Sequence, residues 1–366
     1  MRAAAAVRPR SIVGGPSLTK TGLVLGGGLV LLIAAGTVAL ALGSVGVGLG
    51  DTVAILGHRL LGIPAQVTWS APTEQIITQV RLPRVLTSML VGGGLAVAGA
   101  TFQAVLRNPL ADPYIIGTAS GASLGAIAAL MLPALLPGLA LGTGSAWLGV
   151  GTVQVLAFGG GLGAVLLVSA VARAARGGAV TLLLTGYAVS SVLSAGVALL
   201  MYFSGNHLGA IFAWLMGSLD GSAWRNLGLS APLVLVSLLL LLARWRRLNV
   251  LLLGEAQASH LGIDPGRERL LLTVFASLAT SAVVAISGTI GFVGLVVPHL
   301  LRMATGPDHR LLLPASLLYG AALLALADLG ARLAGGIPVG IVTALIGAPF
   351  FIWLLVRSRR VRVGES

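Results

Sequence analysis

The chain has 366 residues, of which 57% are hydrophobic and 9% charged, with a net charge of +13 and a mean hydropathy of +1.01. A soluble domain carries about 25% charged residues, so this composition excludes an ordinary soluble fold and points to an all-α polytopic membrane protein. The apolar runs are continuous, which excludes a membrane β-barrel, and the absence of cysteine excludes disulfides and thiolate metal sites.

The chain opens on a basic stretch, MRAAAAVRPRSIVGGPSLTKTG. The apolar run behind it is long and lacks a clear cleavage site, so it reads as a retained first helix with a cytoplasmic N-terminus. Ten candidate spans follow in order: 21–43, 82–107, 113–132, 147–172, 179–204, 229–245, 269–289, 291–304, 311–333 and 338–357. They form one transmembrane domain over 21–357, between a basic tail at 1–20 and a short tail at 358–366. With the N-terminus inside, 18 of the lysines and arginines fall on inner segments and 5 on outer ones. That split predicts both termini inside. The placement in short loops also makes the basic charge topological and argues against nucleic acid as its partner.

Within this frame the stretch from Arg81 to Pro113 stands out. Two arginines and a proline open it, and a turn with Pro109 and Pro113 closes it. Between them Gly92, Gly93, Gly94 and Gly99 alternate with Ala96, Ala98 and Ala100. Small side chains let helices approach closely, so this helix is expected to face protein and to belong to a transport path. The external loop 44–80 has room for a short surface helix. The segment 205–228 is expected outside, with Trp214 and Trp224 at the membrane interface. The internal loop 246–268 is too short and polar to span, and reads as an amphipathic helix on the inner face: a plain interfacial helix or a docking surface. The start of the eighth span is ambiguous, because Gly288, Gly291 and Gly294 interrupt it. A weak echo between VAGATFQAVLRNPL and AISGTIGFVGLVVPHLLR is compatible with an inverted repeat.

Few residues could carry chemistry. Arg81, Arg84 and Arg332 lie near outer span ends, where they either snorkel to lipid phosphates or form a basic patch that steers an acidic partner. Asp328 precedes Arg332 by four residues, and an ion pair is favoured there over a proton relay. His260, His299 and His309 are too scattered for a metal site. The only lysine is Lys20, so there is no phosphate-binding glycine loop with its lysine. ATP, if it drives this protein, is bound by another chain. A transporter or channel working alone would need acidic groups at the midplane, and these are sparse.

Several motifs, in order, carry a resemblance. They are RLPR at 81–84, GGGLAVAGATFQAVLRNPLADPYIIGTASGA at 92–122, WLMGSLDGSAW at 214–224, LNVLLLGEAQASHLGI at 248–263, GTIGFVGLVVPHLLR at 288–302 and PVGIVTALIGAPFFIWLL at 338–355. Over residues 70–357 the chain resembles the FecCD-type permease subunits of ABC importers for iron-siderophores, haem and vitamin B12. The resemblance implies a type II importer permease fold with ten helices per subunit, in the inner membrane of a bacterium. It implies a second permease subunit, identical or paralogous, two cytoplasmic ATPases that hold ATP and magnesium, and an external binding protein. No cofactor is expected on this chain, and iron-siderophore complexes are the first expectation for the substrate, ahead of haem and cobalamin. By the same resemblance Leu253, Gly254, Glu255, Ala256, Leu261 and Gly262 belong to the ATPase-coupling segment. Asn108, Pro109, Leu110 and Asp112, with Ala179 and Val180, fall at the cytoplasmic gate. Arg81, Arg84 and Arg332 match positions that meet acidic residues of the binding protein. One departure is Gly336, where the family usually has an acid.

Overall fold

Helices dominate because the sequence gives long apolar runs whose backbone groups must be satisfied internally. The computed structural model describes residues 17–43, 45–63, 66–135, 151–175 and 177–363, and among them there is no strand. The helices in order are α1 (Leu18–Ala41), α2 (Leu49–Leu61), α3 (Ala71–Gln75), α4 (Leu82–Val105), α5 (Thr118–Leu135), α6 (Thr152–Ala174), α7 (Ala179–Tyr202) and α8 (Leu208–Leu215). They continue as α9 (Trp224–Ala243), α10 (Trp245–Leu252), α11 (Glu255–His260), α12 (Pro265–Ser287), α13 (Val293–Thr305), α14 (His309–Leu333) and α15 (Val339–Val363). Among the described residues 7 helical stretches are long and apolar enough to cross a membrane, and Thr118–Leu132, Val293–Thr305 and Val339–Trp353 are shorter apolar helices. The first residues of the expected fourth span, 147–150, and both tails beyond Ser17 and Val363 lie outside the described residues.

The bundle is built around α4. Every residue from Val91 to Val105 is buried, and α1, α9, α12, α13 and α14 pack around it. Its small residues set the spacing. A Cβ on Gly99 would land on the backbone carbonyl of Gly294 in α13, and one on Gly92 would strike the carbonyl of Gly320 in α14. Two backbones in near contact leave no room for a side chain, so the glycines here are a packing requirement. The expectation that this helix faces protein is met. The outer faces of the bundle are apolar, with Leu29 and Ile33 on α1, Leu167 on α6 and Leu239 on α9 exposed.

Three segments differ from the sequence expectation. The helix expected from residue 82 is continuous from Ala71, as one stretch Ala71–Val105. Ser70 caps its start, and residues Ile76–Arg81 form a π-turn in which the Leu82 N–H reaches the Ile77 carbonyl. The widened turn makes room for the Pro83 ring, which a regular α-turn would clash with. The single amphipathic helix expected over 246–268 is two helices, α10 and α11, broken at Gly254 with φ of 109° and ψ of 165°. Only glycine adopts that conformation readily.

The third difference is the 205–228 segment, expected as an interfacial loop. It contains α8, whose Ile211 is fully buried with Ile127 and Met131. Beyond α8 the chain runs against the non-helical residues 288–292. The Thr289 hydroxyl donates to the Leu215 carbonyl at 2.5 Å, and the Ser218 N–H donates to the Ser287 carbonyl at 2.9 Å. The broken backbone between α12 and α13 is thus satisfied by protein, as a helix break within a membrane protein demands.

Candidate functional site

The two ends of α4 hold the predicted site residues. At its N-terminal end Arg84 and Arg332 stand in an ionic network rather than as free cations. Asp328, 1% exposed, lies between two guanidiniums. Arg84 donates to it from Nε at 3.0 Å and from Nη2 at 2.8 Å, and Arg332 Nε donates to Oδ2 at 3.1 Å. The expected i, i+4 pair is therefore present, with Arg84 as a third member. A second acid, Asp220, joins from 136 residues away and accepts from Arg84 Nη1 at 2.6 Å.

Arg81 and Arg332 have a further task. Helix α1 ends with no basic residue in its last turn, so its final carbonyls lack local partners. Arg81 Nη1 donates to the Leu40 and Ala41 carbonyls at 2.8 and 2.7 Å, and its Nη2 donates to the Val45 carbonyl. Arg332 donates to the Ala39 and Leu42 carbonyls at 2.8 and 3.1 Å. Two distant arginines thus cap one helix and offset its dipole. Arg81 is 5% exposed and faces inward. Arg84, Arg332 and Asp220 still line a cleft of about 560 Å³ with Gly335 and Gly336.

At the other end of α4 the chain turns at Arg107, a non-glycine residue with φ of 48°. Two Asx turns follow. Asn108 Oδ1 accepts from the Leu110 N–H at 2.9 Å, and Asp112 Oδ1 accepts from the Tyr114 N–H at 2.9 Å. Such side-chain turns fix a loop without regular structure. The Pro109 carbonyl lies 3.3 Å from His299 Nδ1. Tyr114 bonds both backbone groups of Ile290, at 3.0 and 3.2 Å, which ties this loop to the break before α13. Burial pushes the Asp112 carboxyl up to about 6, opposed by its bond from the Tyr114 N–H.

Ala179 and Val180 form the first turn of α7, and Val180 is 68% exposed. A Cβ on the preceding Gly178 would sit 4.0 Å from Glu255 Oε1. Glu255 opens α11, and its carboxylate pairs with Arg269 of α12 and lies 3.8 Å from Arg107 Nη2. Arg107 at the head of the 108–112 loop, Gly178 before α7 and Arg269 of α12 thus surround the Glu255 carboxylate. Gly254, the residue at the break, forms the N-cap of α11, and Gly262, with φ of 75°, follows its end. Leu253, Ala256 and Leu261 are exposed on the same segment.

Sequence reasoning missed Asp220, Tyr114 and a polar cluster behind the loop. In that cluster Arg302 donates to Gln103 Oε1 at 2.7 Å, and Asn249 joins Asp308 at 2.7 Å and His309 at 2.9 Å. Single polar residues far apart carry no pattern in the chain. Among the described residues no group of three His, Cys, Asp or Glu side chains could hold a metal ion.

A bundle with a buried glycine-lined helix, a satisfied mid-bundle break and an exposed broken loop defines a multi-pass helical membrane protein of the transporter kind. Comparison with known proteins is decisive on the family. A profile of the FecCD transport family matches residues 31–357, and the chain belongs to that family. It is 44% identical to the cobalamin import system permease protein BtuC of Halobacterium salinarum, over 85% of this chain and 79% of that one. It is 38% identical to the hemin transport system permease protein HmuU of Yersinia pestis, over 93% and 98% of the two chains. It is 39% identical to the Fe(3+) dicitrate transport system permease protein FecD of Escherichia coli K12, over 84% and 97%. A solved chain, described as an inward-facing conformation of an ABC transporter assigned to the metal-chelate type, superimposes with a TM-score of 0.76 at 35% identity, covering 91% of this chain and 99% of that one. The protein is a permease of an ABC importer.

Proposed function

We propose that this permease passes a metal chelate across a bacterial inner membrane, driven by ATP on two partner subunits and supplied by an external binding protein. The family membership supports those partners in general. The named relatives import cobalamin, hemin and ferric dicitrate at similar identities, so the common denominator is a bulky metal complex. Ferric siderophores fall within that class, as the first of the expected substrates, with haem and cobalamin as alternatives. The ten spans would be the seven long apolar stretches plus α5, α13 and α15, with both termini inside. ATP and magnesium belong to the partner ATPase. The permease dimer is either two copies of this chain or a pair with a paralogue.

The observation that carries the mechanism is Glu255. It sits on the exposed α11, where an ATPase would seat against Leu253, Ala256 and Leu261. From there it reaches Arg107 at the head of the 108–112 loop and Arg269 at the start of α12. Closure of the ATPase pair would displace α10 and α11, and the ionic contacts would carry that displacement to Asn108, Pro109, Leu110 and Asp112 and to Ala179 and Val180. This biases an outward-open against an inward-open state by differential binding. At the opposite end Arg84 and Arg332 are the proposed docking cations, with Arg81 as their internal support. Docking there exchanges the exposed Asp220 for an acid of the binding protein, which steers the encounter.

Glu255→Arg tests the relay. The variant is expected to insert and purify normally, while stimulation of the ATPase by the loaded binding protein falls. Unchanged stimulation would overturn the role given to Glu255.

A further inference from the structure

Between the end of α6 and the start of α12 lies a cavity of about 90 Å³. It is lined by Ser169, Arg173, Gly177, Gly178, Gly266, Arg269 and Thr273, with apolar neighbours. One water needs roughly 10–15 Å³ on the same measure, so the space holds more than a single solvent molecule. Ser169 and Thr273 are 3% and 1% exposed. The Ser169 and Thr273 hydroxyls and Arg269 Nε are buried without a hydrogen-bond partner among the described residues.

Buried polar atoms without partners are rare in folded proteins and call for an occupant. The donor set decides its chemistry. An arginine N–H can only donate, so whatever meets Arg269 Nε is an acceptor. Arg173 adds a second guanidinium, and no carboxylate lines the cavity among the described residues. The start of α12 contributes the positive end of its dipole. Two cations and two hydroxyls around one small space match a phosphate group, whose oxygens accept several charge-assisted bonds at once. Glu255 already balances the Arg269 charge through Nη2, but Nε still needs an acceptor, and a carboxylate offers fewer acceptor oxygens than a phosphate.

We propose that this cavity is a binding site for a phosphate group, either inorganic phosphate or the headgroup of an anionic phospholipid. Arg269 makes the site consequential. The same guanidinium that presents Nε to the cavity holds Glu255 through Nη2. A phosphate in the cavity fixes Arg269 and, through it, the start of α11. The binding site stands on its own geometry. Only its effect on coupling rests on the reading of Glu255.

The test uses the full chain purified in detergent and placed in phosphatidylcholine nanodiscs. Inorganic phosphate is compared with chloride at equal ionic strength by thermal unfolding and by phosphorus NMR. In parallel, native mass spectrometry counts phosphatidylglycerol retained from mixed vesicles. Wild type is expected to gain thermal stability with phosphate or to retain phosphatidylglycerol. The first result alone names the free anion as the source and the second alone names the lipid. Ser169→Ala with Thr273→Val removes hydroxyls that hold no partner among the described residues, so the variant is expected to fold, and the effect should disappear. Arg173→Gln, a change on an exposed side chain, should weaken binding about tenfold. No binding by wild type, or binding left intact in both variants, overturns the proposal.

Discussion

Asp328→Asn probes the ionic network at the N-terminal end of α4. The change preserves shape and removes one charge. In the native protein Asp328 is 1% exposed, while the Arg84 and Arg332 side chains are 17% and 12% exposed. Asparagine offers one acceptor oxygen where the carboxylate took three bonds from Arg84 and one from Arg332. Removing one partner of a buried pair leaves the other uncompensated, which costs about 3–5 kcal/mol. Asp220 stays on Arg84 and offsets part of this, so a loss of about 3 kcal/mol is expected. Arg332 also caps α1, so its displacement should loosen α1 against α14. Thermal unfolding of the purified chain, followed by tryptophan fluorescence, reads the loss as a lower midpoint. Adding Arg332→Gln to Asp328→Asn removes a surplus cation, and the double variant should be less damaged than the sum of the two single changes. A single variant within about 0.5 kcal/mol of wild type, or a strictly additive pair, would refute the network as a stabilising unit.

Three further outcomes follow from the geometry. Gly99→Val should abolish folded protein, because the side chain would occupy the Gly294 backbone, whereas Gly22→Ala, with nothing within 4 Å, should purify at wild-type yield. Gly254→Ala should strain the break between α10 and α11 by about 1–3 kcal/mol and reduce ATPase coupling while leaving insertion unchanged, measured by nanodisc ATPase assay and membrane yield. Burial raises the Asp112 carboxyl from the ordinary carboxylate value of 3.8 to about 6, so its ionised form opposes folding above pH 6. The opposition is relieved as pH falls from about 6 to about 4, by at most about 3 kcal/mol. Asp112→Asn keeps the Asx turn, and the difference in unfolding midpoint between wild type and variant should shrink over that window. A constant difference from pH 7 to pH 4 would contradict the burial of the carboxyl.

Much of this architecture is legible in the sequence. The apolar runs predict the long helices, because a span needs about 20 apolar residues and little else. The glycines of 92–99 predict close approach, and the structure puts the Gly294 and Gly320 carbonyls against them. The Asp328–Arg332 pair was readable because helix periodicity fixes neighbours at four residues. What was not readable depends on long-range contact. Nothing near α1 announces that Arg81 and Arg332 complete its last turn. Asp220 is 136 residues from Arg84, and a lone aspartate in a loop has no periodic signature. The π-turn before Pro83 and the break at Gly254 were missed because each inserts a local irregularity into a run whose hydrophobic pattern continues. In the 108–112 loop the two prolines announce a stiff turn, but only the fold shows Tyr114 bonding Ile290 and Glu255 facing both Arg107 and Arg269.

We propose that this chain opens a path for a metal chelate when partner subunits hydrolyse ATP. The most direct test is uptake into proteoliposomes that contain this chain, its candidate ATPase and the binding protein. Ferric siderophores, haem and cobalamin are offered one at a time, with and without ATP inside the ATPase-facing compartment. The expected result is accumulation of one chelate that requires both ATP and the binding protein. Accumulation driven by an ion gradient without ATP, or by this chain alone, would contradict it.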